Sequence, residues 1–323
     1  MRIIVLTLIL LIAGCAPDAP RENPLDSVSS GSIEGWAFSF YQPRDPLIGV
    51  KVTLQPIGRF VFTDTEGRFE FAGIPPGQYR VIAERPLFQP DTLFVYLPVN
   101  GSISDRNFVL NGLPEIRNFK YFSRNIDTTI PGRFVEAVIT LDAEDSDGNF
   151  DLDSLIVDIP EIPFRRTANR VAPGRFELII PDTDPAFNLS LIPLVEKNAF
   201  FTLTDQPGSR VTSGPFSLRR IIDDIPLALT PVQADTAISR PTFSWHSFSA
   251  GFSYSFTLEV VRLNLGIPVE VQRVRDIPTS TLQLTWPDTL PALQVGRYEW
   301  TIGVEDNIGN ISRSRERFLV ISN

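Results

Sequence analysis

The chain carries one cysteine, one histidine and one methionine in 323 residues, and each scarcity removes a class of protein. A lone cysteine builds no disulfide scaffold, and one cysteine with one histidine falls short of the four ligands of a structural zinc site. Any Ser-His-Asp triad would have to be built on His246. That residue closes the run Ser244-Trp245-His246 and reads as an exposed strand end. No G-x-S-x-G elbow, phosphate-cradling glycine loop or H-E-x-x-H motif occurs. Basic residues are outnumbered, 29 Lys and Arg against 38 Asp and Glu, and they form no cluster. Nucleic acid is therefore not expected as a partner, because neutralising phosphates takes grouped cations. Helical patterning is scarce as well. The 28 prolines recur along the chain, and apolar residues alternate with period two in Val135 to Leu141, Arg68 to Phe71 and Tyr298 to Ile302. The expected fold class is all-β.

Only one long apolar run is present, Ile3 to Ile12, interrupted by Thr7. Ten helical residues span about 15 Å, half of the roughly 30 Å hydrocarbon core, so the run reads as the h-region of a signal peptide. The tetrapeptide that follows it, Ile12-Ala13-Gly14-Cys15, resembles the lipobox of bacterial lipoproteins. That resemblance implies cleavage after residue 14, lipid attachment at Cys15 and a membrane partner held through the anchor. Ala16 stands where an Asp would resemble an inner-membrane retention signal, so the outer membrane of the cell envelope is the expected location. Residues 15–30 are polar and proline-rich and are expected to form a lipidated flexible tether, reaching up to about 50 Å when extended.

Three further segments are expected as tandem β-sandwiches, at residues 31–112, 113–222 and 225–323. Each contains a D-x-x-G turn between apolar strands: Asp64 to Gly67, Asp205 to Gly208 and Asp306 to Gly309. Asp in the first position accepts a hydrogen bond from the backbone two residues on, and Gly in the fourth tolerates positive φ, so each predicts a hairpin turn. In the first segment, Gly31-Ser32-Ile33-Glu34-Gly35-Trp36, Pro46 to Leu54, Thr63 to Phe71, Ile74-Pro75-Pro76-Gly77-Gln78-Tyr79-Arg80-Val81 and Asn107 to Leu110 follow one another in a characteristic order. They resemble the carboxypeptidase regulatory-like family, which implies a transthyretin-like sandwich serving as an accessory module without catalytic residues. The last segment resembles fibronectin type III modules, with Leu293 to Trp300 as a tyrosine corner entering a core strand. The ending of the middle segment, from Phe201 to Gly208 and on to Leu218, parallels that of the third and predicts an immunoglobulin-like sandwich.

The densest polar cluster is Asp142 to Asp153. Oxygen-rich groups of this kind suit a hard cation, and Asp145, Asp147 and Asp151 are the candidate calcium ligands. The segment does not fit an EF-hand loop, because aligning Asp145, Asp147 and Gly148 puts Ala143 first and Ser154 where the bidentate Glu belongs. Two geometries compete. A two-residue turn at Asp147-Gly148 would set Glu144 opposite Asp151 and Asp142 opposite Asp153, whereas a crossing between sheets would gather the acids at one end of a sandwich. A plain turn binding nothing is the simpler alternative. Trp36 and Trp286 are candidate exposed aromatics for stacking on sugars, and Trp245 and Trp300 read as core. The expected function is a non-enzymatic structural or adhesion/binding module, with a protein or polysaccharide partner in the envelope. Capture of carbohydrate or peptide for an uptake system is the main alternative, to be favoured by a row of exposed aromatics. An enzyme would instead show a deep pocket with a shifted carboxylate pKa.

Overall fold

The structure is a computed structural model that describes residues 30–232 and 235–322; Cys15 and its neighbours lie outside the described residues. Among the described residues, strands and the turns between them account for the fold, with one 3-10 turn at Ile192–Leu194. The chain divides into two compact units, residues 1–112 and 113–323.

The first unit contains β1 (Gly31–Ser39), β2 (Lys51–Gln55), β3 (Arg59–Phe62), β4 (Arg68–Ile74), β5 (Gly77–Glu84), β6 (Asp91–Leu97), β7 (Ser102–Ile103) and β8 (Phe108–Leu110). One sheet pairs β1 with β4, β7 and β8, and the other runs β3-β2-β5-β6. Period-two alternation sends Phe69 and Phe71 of β4 inward, with Tyr79, Val81 and Ala83 of β5, onto Phe108 of β8. Each such aromatic, fully buried, stabilises the fold by about 1.5–3 kcal/mol. Gly35 interrupts β1 for a steric reason: a Cβ there would lie 2.1 Å from the carbonyl oxygen of Arg106. The Asp64 turn corrects the hairpin expectation. Its carboxylate accepts hydrogen bonds from the N–H groups of Glu66 (2.9 Å) and Arg68 (2.8 Å) as its chemistry predicts, yet β3 and β4 belong to different sheets, so the turn is a corner between them.

The second unit opens with a sandwich of β9 (Pro114–Ile126), β10 (Phe134–Asp145), β11 (Leu152–Ile159), β12 (Phe164–Thr167), β13 (Asn169–Ala172), β14 (Arg175–Pro181), β15 (Ala199–Asp205) and β16 (Arg210–Phe216). Its sheets run β13-β14-β10-β9 and β12-β11-β15-β16 around one core. A second sandwich follows, with β17 (Ala228–Thr230), β18 (Asp235–Ala237), β19 (Thr242–Trp245), β20 (Tyr254–Asn264), β21 (Ile267–Ile277), β22 (Gln283–Thr285), β23 (Gly296–Asp306), β24 (Ile311–Arg313) and β25 (Arg317–Ile321). Trp245 and Trp300 fill its core with Phe243 and Phe256. The Tyr298 hydroxyl donates to the carbonyl of Gln294 at 2.9 Å, closing the expected tyrosine corner. Tyr79 repeats the contact in the first unit, donating to Pro75 at 2.7 Å.

The boundary near residue 222 is a change of sandwich and not a break in the sheet. Strand β24 runs parallel to β9, with Ile311 opposite Arg124 and Arg313 opposite Ile126, and joins ten strands from both sandwiches into one sheet. Buried polar side chains line one face of this seam. Asn310 accepts hydrogen bonds from the Ser123 N–H (2.8 Å) and hydroxyl (3.1 Å) and donates to Asp306 (2.9 Å). Asn125 donates to the carbonyls of Ile222 (2.7 Å) and Asp223 (2.8 Å), and Ser312 donates to that of Asp224 (2.6 Å). The third D-x-x-G turn thus has a second task, because Asp306 also takes Arg220 at 3.3 Å from the preceding sandwich.

Candidate functional site

Strand β10 ends at Asp145 and the chain passes to β11 in the opposite sheet, so the acidic segment crosses between sheets at one end of the first sandwich of the second unit. The two-residue hairpin register is therefore corrected. Asp142 stands opposite Asn118 and Arg175, and Glu144 opposite Glu115. The physical reason lies in β10 itself, whose pairing edges are already taken by β9 and β14, leaving β11 no place beside it. A tight turn forms within the crossing. Asp145 accepts the Gly148 N–H on its carbonyl (2.9 Å) and the Asp147 N–H on Oδ1 (2.8 Å), and Gly148 takes φ +107°. The Gly148 carbonyl in turn accepts the Asp151 N–H at 2.9 Å.

This winding draws carboxylate oxygens of Asp145, Asp147 and Asp151 to within 4.8 Å of one another. Asp145 is only 8% exposed, and its Oδ2 makes no hydrogen bond within the protein. Burial pushes the Asp145 carboxyl up to about 6, against the pull of the Asp147 N–H, and the charges of Asp151, Asp147 and Asp205 push the same way as burial. Asp205 enters from the hairpin β15–β16, where its Oδ1 accepts the N–H of Gly208 at 2.7 Å and of Ser209 at 2.5 Å. The sequence reading missed this fourth acid as a member of the group, because it lies 54 residues beyond Asp151 and only the pairing of β11 with β15 brings it in, Leu152 standing opposite Asp205. The guanidinium of Arg170 comes down on the same loop and donates to the carbonyls of Leu152 and Asn149, each at 2.7 Å. Converging carboxylates with an orphaned buried oxygen are the donor set of a hard divalent cation, which takes six to eight oxygens.

The remaining candidates separate. His246 is exposed just past β19 and its backbone N–H donates to Leu227 at 3.0 Å. Trp286 is corrected from an exposed platform to core: it is 1% exposed, and its indole N–H donates to Pro291 at 2.9 Å. Leu284 and Leu290 pack into the same cluster, a setting that the residues flanking Trp286 do not announce. Trp36 is half-buried. The aromatics exposed on one face are others. Phe60, Phe62, Phe94 and Tyr96, the third of them 83% exposed, stand on β3 and β6 at the two edges of the sheet β3-β2-β5-β6. Phe60 and Phe62 meet edge to face at 5.9 Å, and the Lys51 ammonium lies 5.2 Å from the Phe60 ring.

Two β-sandwiches that share one ten-stranded sheet, preceded in the chain by a smaller two-sheet module, define the class of this protein. Residues 42–111 match the family model of the carboxypeptidase regulatory-like domain, so the first unit carries that domain. Among solved structures, the chain is similar to BcpA, the major pilin subunit of Bacillus cereus, at 9% identity over 91% of this chain and 98% of that one, with a TM-score of 0.29. It is similar to the FN1-FN3 domains of chicken CNTN1 at 10% identity over 86% and 92% of the two chains, with a TM-score of 0.34. The fibronectin(III)-like modules of Clostridium thermocellum CbhA match at 11% identity over 65% and 94%, with a TM-score of 0.28. No curated protein matches the chain.

Proposed function

We propose that this chain is a non-enzymatic structural or adhesion/binding module of the bacterial cell envelope, anchored in the outer membrane through lipid on Cys15. The observation that supports it best is the seam: β24 on β9, with the network of Ser123, Asn125, Asn310 and Ser312, makes one stiff body of two sandwiches. A body of that kind holds a surface at a fixed distance and orientation, which is the task of a tethered module. Asp145, Asp147 and Asp151, with Asp205 beside them, hold calcium where β10 crosses to β11 and fix that crossing. The anchoring is tested by detergent-phase partition of the full chain expressed in a bacterium. Wild type enters the detergent phase and Cys15→Ser does not; equal partition of the two refutes the anchor. The stiffness is tested by calorimetry, in which residues 113–323 melt in one transition and Asn310→Ala splits it. A single transition in that variant, at an unchanged temperature, refutes the seam as the coupling element.

A second reading, capture of carbohydrate or peptide, is supported by the exposed face bearing Phe60, Phe62, Phe94 and Tyr96. Between these edges the face presents Thr53, Ile82 and Arg80, a mixture of apolar rings and hydrogen-bonding groups suited to extended polymers. Loss of polysaccharide or peptide retention in Phe60→Ala with Phe94→Ala checks it.

A further inference from the structure

On the face of the seam opposite the polar network, the ten-stranded sheet carries a groove of about 400 Å³, within the size range of small-ligand sites. Its floor is β23. Even-numbered residues of that strand, Tyr298, Trp300, Ile302 and Val304, fill the core behind, and Thr301, Gly303 and Glu305 face the groove. Gly303 is unusual among the strand glycines. Gly35 is required by a carbonyl 2.1 Å from where a Cβ would stand, whereas a Cβ on Gly303 would meet nothing nearer than 3.6 Å, and its φ is not in the left-handed region. Neither backbone nor packing calls for a glycine in the middle of this strand, where it weakens the sheet. What the missing side chain does is keep the floor open.

Hydrogen-bond donors surround that opening. Thr257 stands directly opposite Gly303 on one neighbouring strand and Arg313 on the other, with Thr301 one step along. Thr301 is 4% exposed, and its hydroxyl, the Thr257 hydroxyl and the Nε of Arg313 make no hydrogen bond within the protein. An unmet buried donor costs about 1–3 kcal/mol, so three around one gap are a standing demand for acceptor oxygens. Acceptors line the groove too, in Glu259 and Glu305. Three of the four guanidinium groups lining the groove are already answered, Arg273 by Glu259, Arg124 by Glu136 at 2.6 Å, and Arg313 by Glu259 at 3.7 Å and Glu316 at 4.0 Å, while Arg275 is exposed to solvent. A strongly charged ligand would have to break these pairs. A hydroxylated neutral one would not, because its hydroxyls accept from Thr and Arg and donate to Glu. Ile126, Phe134 and Ile311 supply an apolar wall, which suits the C–H face of a sugar ring.

We propose that the groove over Gly303 binds a neutral sugar residue, free or at the end of a glycan, with Thr257, Thr301 and Arg313 as donors and Glu259 and Glu305 as acceptors. The inference rests on the capture reading for the kind of ligand and on the second unit alone for the site. The test applies the full chain to an array of neutral and uronate-containing oligosaccharides, followed by calorimetric titration with the best neutral hit and with glucose and glucuronate. A neutral saccharide is expected to saturate one site. Thr301→Val weakens it about tenfold, equivalent to about 1.4 kcal/mol. Gly303→Val abolishes binding with the melting temperature unchanged or raised, and Gly303→Ala, the smaller filler, weakens it if the valine variant does not fold. Phe60→Ala with Phe94→Ala leaves groove binding intact even if it ends retention by the first unit. The proposal is overturned if no neutral saccharide binds, if glucuronate binds more tightly than glucose, or if binding survives both Gly303 variants.

Discussion

Replacing Asp145 with Asn gives opposite results with and without calcium, and the sign follows from the geometry. Asn keeps an oxygen for the Asp147 N–H now held at 2.8 Å, and its amide can donate where Oδ2 now has no partner. In the absence of a cation, the wild-type carboxyl titrates at about 6, against an ordinary value of 3.8. An acid whose folded pKa is raised binds more protons folded than unfolded, so its penalty is absent below about pH 4, grows between about pH 4 and 6, and is fully present above about 6. A rise of that size corresponds to about 3 kcal/mol, which solvent screening reduces to roughly 1–2 kcal/mol. At about 2–4 °C per kcal/mol for a body of this size, Asp145→Asn in chelator at about pH 7.5 raises the melting temperature of the second unit by about 2–8 °C, and by nothing at about pH 4. In millimolar calcium the order reverses, because the variant has lost a charged ligand while wild type gains RT ln(1 + [L]/Kd). Differential scanning calorimetry of the full chain at the two pH values measures all four cases. A variant less stable than wild type in chelator at the higher pH refutes the electrostatic reasoning, and wild type indifferent to calcium refutes the site.

Other consequences are separately measurable. Asn310→Ala strips the partner from the Ser123 N–H and one of the hydrogen bonds from Asp306, which keeps Arg220, and is expected to cost about 2–4 kcal/mol of second-unit stability by denaturant titration. Tyr298→Phe and Tyr79→Phe each remove one hydroxyl bond without changing packing, and each lowers the stability of its own unit by about 1–2 kcal/mol, leaving the other transition in place. The fragment 31–112 melts cooperatively by circular dichroism, while 225–323, cut along the seam, melts below the transition of 113–323 because Asn310 loses Ser123 and Ser312 loses Asp224.

Local chemistry in the sequence settled the character of the chain. Alternation such as that of Val135 to Leu141 predicts strands whichever partners they find, since inward and outward positions repeat every two residues in any sheet. The Asp of each D-x-x-G turn captures backbone N–H groups within four residues, and Tyr298 bonds to a carbonyl four residues back; contacts this short are legible because chain spacing alone supplies them. The acidic group was legible for the same reason in Asp145, Asp147 and Asp151. What needed the tertiary structure were contacts made across long separations. Sequence spacing cannot say whether Asp64 to Gly67 turns within a sheet or between sheets, that Asp205 joins Asp145, or that Trp286 is covered. Nor can it say that β24 pairs with a strand 187 residues earlier in the chain. Such pairings depend on which edges are left open once each sheet has formed, and that is a property of the assembled fold. The orphaned oxygen of Asp145 and the open floor at Gly303 both arise there.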